Sequence, residues 1–305
     1  LDDVADYRVD LRNAAAVREV FDLHKPEMVF HLAAQPLVRR SYRDPAGTFD
    51  VNVMGLVNLF EAIRQCPSVR VIVNATTDKV YEEHAPASGY DEQDPLGGHD
   101  PYSSSKACAE IVSACYRKSF FHLNAEGFSP RLATARAGNV FGGGDWAEDR
   151  LVPDLVRAVV SGEAIEIRNP NATRPWQHVL EPLSAYLRLG QMLLQDSVYA
   201  DAWNFGPNKE DERSVKEVAT LLSQHWPGLR IDLDKKNHPH EAAALHLNCE
   251  KAKQKLQWEP VWHLETAIAK TGAWYRNHHE NKQLNTSDDL ASYIADARIQ
   301  GKVWA

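Results

Sequence analysis

Tyr102 and Lys106 stand four residues apart in the run "YSSSK". On a helix, that spacing puts both side chains on one face. A free tyrosine titrates at about 10, so its phenolate is scarce at neutral pH. A neighbouring ammonium favours the phenolate. A tyrosine activated in this way can take the proton of a hydroxyl while a hydride leaves the same carbon. Upstream, "NATTDKVYEE" carries Thr77, Asp78 and Lys79 just after the apolar run "VRVIV". An acid and an amine side by side offer a proton donor and, once the amine is neutral, a proton acceptor. The Tyr-Lys spacing alone is a weak signal, because such pairs arise by chance on many helices. Its weight depends on what surrounds it.

A short apolar run that ends in polar residues reads as a buried strand with its tip in solvent. In parallel α/β sheets, strand tips are where chemistry sits. The helical stretch "RNAAAVREVFDLH" is followed by the short apolar run "PEMVFHLAA" at 26–34. "NVMGLVNLFEAIRQC" at 52–66 is apolar on nearly every face and predicts a helix packed on both sides. A loop rich in glycine and proline follows "VRVIVNAT", then the helix "YSSSKACAEIVSACYRKSFF", then the strand "RLATARAG" at 131–138. Strands alternating with helices predict a doubly wound parallel sheet. After residue 140 the rhythm loosens. "SVKEVATLLSQHW" opens on a capping box, Ser214 and Glu217, and a further helix is expected near "LETAIAKTGAWYRNHH". The last residues, from "NKQLNT" onward, read as a tail or a docking arm.

The 305 residues are 44% hydrophobic and 25% charged, with a net charge of −8. This is the composition of a globular protein. An acidic chain has no global attraction for nucleic acid or an anionic membrane, so an anionic substrate needs a local basic site. No run of about 18 apolar residues occurs, so no transmembrane helix is expected. The N-terminal "LDDVADYRVD" does not read as a signal peptide, and a cytoplasmic location is expected. The four cysteines show no CxxC spacing, and a disulfide framework is not expected. His238, His240 and His246 have no cysteine or carboxylate at ligand spacing, so no metal is expected.

Taken together, "HLAAQPLVR", "NVMG", "TDKVY", "YSSSK", "RAGNVFGGGDWAEDRLVPDLVRA", "IRNPNATRPWQHVLEPLSAYL" and "WNFGP" resemble the extended short-chain dehydrogenase/reductase family of nucleotide-sugar enzymes. The likeness runs from "VDLRN" to about "GAWYRN". Related dehydratases of dTDP-glucose have Thr-Asp-Glu at this strand tip. Enzymes that dehydrate CDP-glucose look like Thr-Asp-Lys, as here. The resemblance implies a Rossmann-type fold with a smaller mixed α/β lobe. Residues 1–138 would form the dinucleotide-binding domain. Residues 139–305 would be mainly a substrate-binding lobe, with segments around 175–205 returning to the first domain. It implies NAD as cofactor, CDP-glucose as substrate, a homodimer packed through the helices at 52–66 and 103–121, and the product CDP-4-keto-6-deoxyglucose.

The same resemblance implies individual roles. Tyr102 takes the C4 hydroxyl proton, Asp78 protonates the departing C6 hydroxyl, and Lys79 takes the C5 proton. Thr77 donates to the C4 oxygen, and Lys106 supports Tyr102. Acting as a base near neutrality, Lys79 needs its pKa lowered by roughly three units. The alternative is that Lys79 orients substrate or pairs with Asp78, and that water or Asp78 moves the proton. Asp10, Leu11, Ala33, Ala34, Gln35 and Asn52, with Tyr102 and Lys106, fall at the NAD positions. Asp10 seen alone reads equally as a helix N-cap. Asn139 and Arg174 match positions near the substrate diphosphate, where a guanidinium grips phosphate oxygens in pairs. Arg174 in a plain surface ion pair is the alternative. The glycines at 142–144 either give a ligand backbone access or make a turn.

The family's opening strand and glycine-rich turn, which hold the NAD pyrophosphate, are absent from these residues. At least one βα unit of roughly 30 residues is missing, and the expectation is a fragment of a longer product. A related epimerase or decarboxylase is a second reading, which the Asp78-Lys79 pair opposes because epimerisation needs no acid at C6. A non-catalytic nucleotide-sugar-binding protein is a third.

Overall fold

The run that precedes Thr77 is a strand buried at every position but its last. In the computed structural model, which describes residues 4–84, 86–121, 129–226, 230–233 and 245–305, the chain divides into two compact units. The first comprises residues 1–82, 95–135 and 189–202; the second comprises 83–94, 136–188 and 203–305.

The first unit opens with helix α1 (Ala14–His24), capped by the Asn13 side chain, which accepts from Ala16 N–H. It ends at Lys25, whose backbone is left-handed. Strand β1 (Met28–His31) follows, then the short helices α2 (Val38–Arg43) and α3 (Pro45–Phe49). Asp44 caps α3, and Pro45 stands at its start, where the missing N–H costs nothing. The next five residues, Asp50–Met54, form a π-helical turn before helix α4 (Gly55–Arg64). Strand β2 (Val71–Ala75), helix α5 (Pro101–Ser119) and strand β3 (Arg131–Ala137) complete the sequence.

β2 lies between β1 and β3, parallel to both, with Met28 opposite Val71 and Val71 opposite Arg131. Parallel neighbours need a crossover element, and α4 and α5 supply it on either side of β2. A core of Val17, Phe21, Leu56, Phe60, Ile63, Ile72 and Leu132 fills the space between helices and sheet. The last segment of the unit is fastened to the sheet. Arg131 Nη1 donates to Leu193 O at 2.6 Å, and Thr134 N–H donates to Asp201 O at 3.1 Å. Gly190 presses so closely on Met28 and Phe30 that a methyl there would come within 2.9 Å of both.

The second unit pairs short strands around a helical layer. Strand β4 (Asn139–Phe141) is followed by helix α6 (Leu151–Ser161) and strands β5 (Ala164–Ile167), β6 (Thr173–Arg174) and β7 (Trp176–His178). Helix α7 (Leu180–Gln195), whose residues from 189 belong to the first unit, leads to strand β8 (Ala202–Phe205), the fourth strand of the β1-β2-β3 sheet beside β3; strand β9 (Arg213–Ser214) leads to helix α8 (Val215–His225). Strand β10 (Arg230–Leu233) and helices α9 (Leu264–Asn281) and α10 (Thr286–Ile299) close the chain. β4 pairs with β7 and β5 with β10, both parallel, while β6 and β9 are antiparallel.

The expected capping box on α8 is formed, with Ser214 N–H donating to the Glu217 carboxylate at 2.8 Å. Phe141, Leu155, Trp176, Leu222, Ile268 and Trp274 belong to the core of this unit. Gly143 is flush against Trp274; an added methyl would lie 2.2 Å from the indole ring. The C-terminal stretch that reads as a tail or docking arm is a helix, α10, seated through Tyr293 and Ala297 on Val261 and Trp262. Below it, the buried Glu181 carboxylate accepts from Val261 N–H, Trp262 N–H and the Tyr293 hydroxyl. Burial pushes the Glu181 carboxyl up to about 6, against those hydrogen bonds. The α/β character and the parallel sheet expected from the sequence are both present. Among the described residues, no helix is long and apolar enough to cross a membrane.

Candidate active site

Thr77, Asp78, Lys79, Tyr102 and Lys106 all fall in the first unit. The strand and the helix that carry them are tied together. β2 ends at Ala75, and its carbonyl accepts from Lys106 Nζ at 2.8 Å. Deeper in the sheet, Asn74 Nδ2 donates to Ser113 Oγ at 3.0 Å. The buried face of α5 is made of Tyr102, Ser105, Lys106, Ala109, Glu110 and Ser113. Small side chains on that face let the helix approach the sheet closely.

The start of α5 is fixed from three directions. Asp100 caps it, accepting from Ser103 N–H at 3.0 Å, and Pro101 sets the first turn. Tyr102 N–H donates to Ser41 Oγ at 3.1 Å. Gly98 has φ +130°, and any side chain there would meet the Ser104 backbone nitrogen at 2.5 Å. A glycine is therefore required at that approach.

Beyond β2 the chain makes a single 3₁₀ turn, Asp78–Val80, capped by Thr77. Asp78 is fully buried. Its Oδ1 accepts from the Thr77 hydroxyl at 3.0 Å and from Lys79 Nζ at 3.1 Å. Its Oδ2 is buried and has no hydrogen-bond partner among the described residues. A buried carboxylate oxygen without a donor is costly. It is the kind of group that a substrate hydroxyl satisfies. Lys79 keeps about a quarter of its side chain exposed, so its ammonium reaches toward solvent from the same turn.

Lys106 is buried, and burial lowers its ammonium to about 8 while Glu110 pulls the other way. An ammonium has three donors; Ala75 O takes one of them. His31, at the end of β1, is held neutral by burial and by the Lys106 charge, down to about 3.

Asn52 sits in the π turn, a rare conformation that recurs at functional positions. Its Oδ1 accepts from Gln35 N–H at 2.8 Å, and its Nδ2 donates to Gln35 O at 3.1 Å and to Ser105 Oγ at 2.9 Å. Ser105 in turn donates to Tyr102 O at 2.7 Å. One buried amide therefore joins the loop after β1 to the helix that carries Tyr102 and Lys106. Gln35 is itself clamped, its Nε2 donating to Thr48 Oγ1 at 3.0 Å and its Oε1 accepting from Leu37 N–H at 2.8 Å. In the loop leading to Gln35, Ala33 is exposed and Ala34 half-buried.

Asp10 is not the cap of α1; Asn13 is. Its carboxylate is half-exposed and paired with Arg12 at 2.6 Å. The Arg12 side chain and backbone N–H hold its pKa down to about 2. Leu11 follows, its carbonyl accepting from Asn58 Nδ2 at 2.9 Å.

Asn139 and Arg174 belong to the second unit. Asn139 opens β4 opposite Trp176. Gly138 lets the two segments meet, since a methyl there would fall 2.6 Å from Pro175 O. Arg174 is buried, not a surface residue, and donates to Thr173 O at 2.9 Å. The glycines at 142–144 are occupied structurally: Gly142 O and Asp145 O accept from the Tyr275 hydroxyl at 3.1 and 2.6 Å. His246 pairs with Glu212 at 2.5 Å, while His238 and His240 lie outside the described residues.

Ser41, Ser105, Asp100 and Glu110 were not singled out from the sequence. The signal for Ser105 and Glu110 is a row of polar residues on a helix face that must be buried if Tyr102 and Lys106 are to work together; Asp100 caps that helix and Ser41 lies on α2.

The sequence profile of a family described as GDP-mannose 4,6 dehydratase matches residues 2–271. The chain belongs to this family. CDP-glucose 4,6-dehydratase of Salmonella typhimurium strain LT2 is 44% identical over 291 residues, spanning 94% of this chain and 81% of that protein. A dTDP-glucose 4,6-dehydratase of Xanthomonas campestris pv. campestris is 26% identical over 286 residues, 87% of this chain and 77% of that one. Among solved structures, UDP-glucose 4-epimerase of Thermotoga maritima with UDP-glucose superposes with a TM-score of 0.78 at 22% identity, covering 92% of this chain and 87% of that one. A Streptomyces venezuelae dTDP-glucose 4,6-dehydratase with NAD bound gives 0.74 at 22% identity, over 90% and 79%. The extended short-chain dehydrogenase/reductase family expected from the motifs is therefore the family found, and the Rossmann-like fold is shared across it.

Proposed function

We propose that the chain is an NAD-dependent lyase that dehydrates CDP-glucose to CDP-4-keto-6-deoxyglucose. The observation that carries this is the turn after β2, where Asp78 is fully buried with one oxygen lacking a donor, directly beside Lys79. Family membership and the 44% identity to a CDP-glucose 4,6-dehydratase support the choice of substrate.

The residues present fit the cofactor. Asp10 offers an ionised, half-exposed carboxylate, Ala33 and Ala34 leave the backbone beyond β1 approachable, and Lys106 has donors that Ala75 does not use. Asp10, Leu11, Ala33, Ala34, Gln35, Asn52, Tyr102 and Lys106 would hold it. When bound, NAD⁺ supplies the chemistry of hydride removal at C4 and return at C6. Tyr102 takes the C4 hydroxyl proton, with the Lys106 ammonium favouring the phenolate. The resulting C4 ketone acidifies C5. The proton shared along the Lys79–Asp78 hydrogen bond first passes to Asp78; neutral Lys79 then takes the C5 proton, and protonated Asp78 gives its proton to the C6 hydroxyl as it leaves as water. In the structure the Thr77 hydroxyl proton is spent on Asp78; once Asp78 turns to the C6 oxygen, Thr77 is released to donate to the C4 oxygen. Asn139 and Arg174 hold the diphosphate, with the first unit mainly binding cofactor and the second mainly substrate. A homodimer through α4 and α5 is part of the same reading.

The test uses CDP-glucose deuterated at C4, incubated with the purified protein and NAD and followed by mass spectrometry and NMR. Loss of one water with deuterium recovered at C6 is the expected result. A C4 epimer would overturn it in favour of an epimerase, and binding without conversion would favour a non-catalytic protein. dTDP-glucose and UDP-glucose assayed in parallel decide the base.

A further inference from the structure

Glu110 lies one helical turn beyond Lys106 on the buried face of α5 and is itself buried. A carboxylate is seldom buried without a task. Its two oxygens are divided between two strands. Oε1 accepts from Thr76 Oγ1 at 2.5 Å, and Oε2 accepts from Thr134 Oγ1 at 2.7 Å. Thr76 immediately follows Ala75, whose carbonyl holds Lys106 Nζ, and immediately precedes Thr77. Thr76 N–H also donates to Ala135 O at 2.8 Å. One carboxylate thus ties the residue just past the end of β2 to the middle of β3, next to the peptide that anchors Lys106 and launches the Thr77-Asp78-Lys79 turn.

The charges around Lys106 single out Glu110. On its own helix the neighbours are Tyr102 and Glu110. From β1 comes His31, which is neutral through the working range. On the turn after β2, Asp78 and Lys79 form an ion pair at 3.1 Å and offset each other. Glu110 is the carboxylate whose charge favours the Lys106 ammonium, against the effect of burial.

We propose that Glu110 is a positioning residue of this site, bracing the end of β2 against the middle of β3 through Thr76 and Thr134 and keeping the Lys106 ammonium charged on the Ala75 carbonyl. The proposal rests on the reading of Lys106 as part of the reaction machinery. It assigns Glu110 two separable effects, one carried by its charge and one by its hydrogen bonds.

Two variants separate them. Glu110→Gln removes the charge, and Thr134→Val removes one hydrogen bond while keeping the charge. The direct readout is the Cε resonance of Lys106 in protein labelled with ¹³C-lysine, assigned by its loss in Lys106→Arg and titrated with pH. The wild type is expected to titrate near 8. In Glu110→Gln the midpoint should fall by about one unit or more, because an opposite charge at close range shifts a pKa by about 1–3. In Thr134→Val it should stay in place. The alkaline limb of turnover on CDP-glucose should move with the midpoint in Glu110→Gln. In Thr134→Val turnover should fall with the limb unmoved. An unchanged midpoint in Glu110→Gln overturns the proposal, as does wild-type turnover in Thr134→Val. If Glu110→Gln does not fold, the turnover of Thr134→Val decides alone. A wild type inactive on every nucleotide sugar would remove the proposed function, while the lysine titration would still decide the role of Glu110.

Discussion

Replacing Asn52 with alanine isolates the amide that joins the loop after β1 to helix α5. In N52A the N–H and C=O of Gln35 both lose their partner, and Ser105 Oγ loses a donor. Ser105 keeps its own bond to Tyr102 O, so the main cost falls on Gln35. Each buried polar group left unsatisfied costs about 1–3 kcal/mol, which puts N52A at about 2–6 kcal/mol. Against a total stability of about 5–15 kcal/mol, that is a substantial share. All eight tryptophans lie in the second unit. Seven of them lie away from the β1-β2-β3 sheet and only Trp203, in β8, belongs to it, so tryptophan fluorescence reports mainly on the second unit and the loss is better read elsewhere. Far-UV circular dichroism in denaturant and hydrogen exchange at the Gln35 amide report it directly. The Gln35 amide should exchange faster by about 30-fold or more if opening becomes easier by at least 2 kcal/mol. Turnover should fall as well, because Tyr102 and Lys106 lose a support of their helix. A change in stability below about 0.5 kcal/mol, the scale of an unremarkable surface substitution, with unchanged exchange at Gln35, would refute this account of Asn52.

Asp78→Asn should lower turnover by about 10²–10⁴, the usual worth of a positioned general acid; dehydrated product measured by mass spectrometry at more than about a tenth of the wild-type rate would reject the acid role. Gly143→Ala should destabilise the second unit by about 1–3 kcal/mol, because the methyl lands on the Trp274 ring; tryptophan fluorescence in denaturant measures it, and a neutral result would mean the loop shifts freely. Glu181 has its folded pKa raised from 4.5 to about 6, so its protonated form is favoured by folding. Its contribution, about 2 kcal/mol, is fully present below pH 4.5 and is lost as pH rises through about 6. Glu181→Gln should flatten the stability of the second unit across that window, and a slope equal to that of the wild type would contradict the assignment.

The strand–helix alternation up to residue 137 was legible because apolar runs and amphipathic stretches alternate cleanly there. The turn at Thr77 and the helix start at Tyr102 were legible for the same reason, each lying at a boundary between apolar and polar residues. The π turn at Asp50–Met54 was not, since an extra residue in a helical turn changes the hydrogen-bond pattern without changing the apolar pattern. Asp10 illustrates a different limit. Any Asp before a helix can cap it, and only coordinates show Asn13 taking that place. The short paired strands of the second unit, two to four residues long, carry too little periodicity to be read. Glu110 was hidden because a glutamate on a helix is normally a solvated one, and its burial depends on Thr76 and Thr134 arriving from separate strands.

The first unit is written in three pieces, residues 1–82, 95–135 and 189–202. This has a consequence for how the protein is made. A ribosome adds about 5–20 residues per second. Between the end of the second piece and the start of the third it must add roughly fifty more residues, so several seconds pass. For that interval Met28 and Phe30 lack Gly190, and Arg131 lacks the Leu193 carbonyl. The nascent chain then carries Thr77, Asp78, Lys79, Tyr102 and Lys106 on a sheet it cannot yet close. Synonymous changes or ribosome stalling within 136–188 would lengthen that exposure without altering one residue of the finished enzyme.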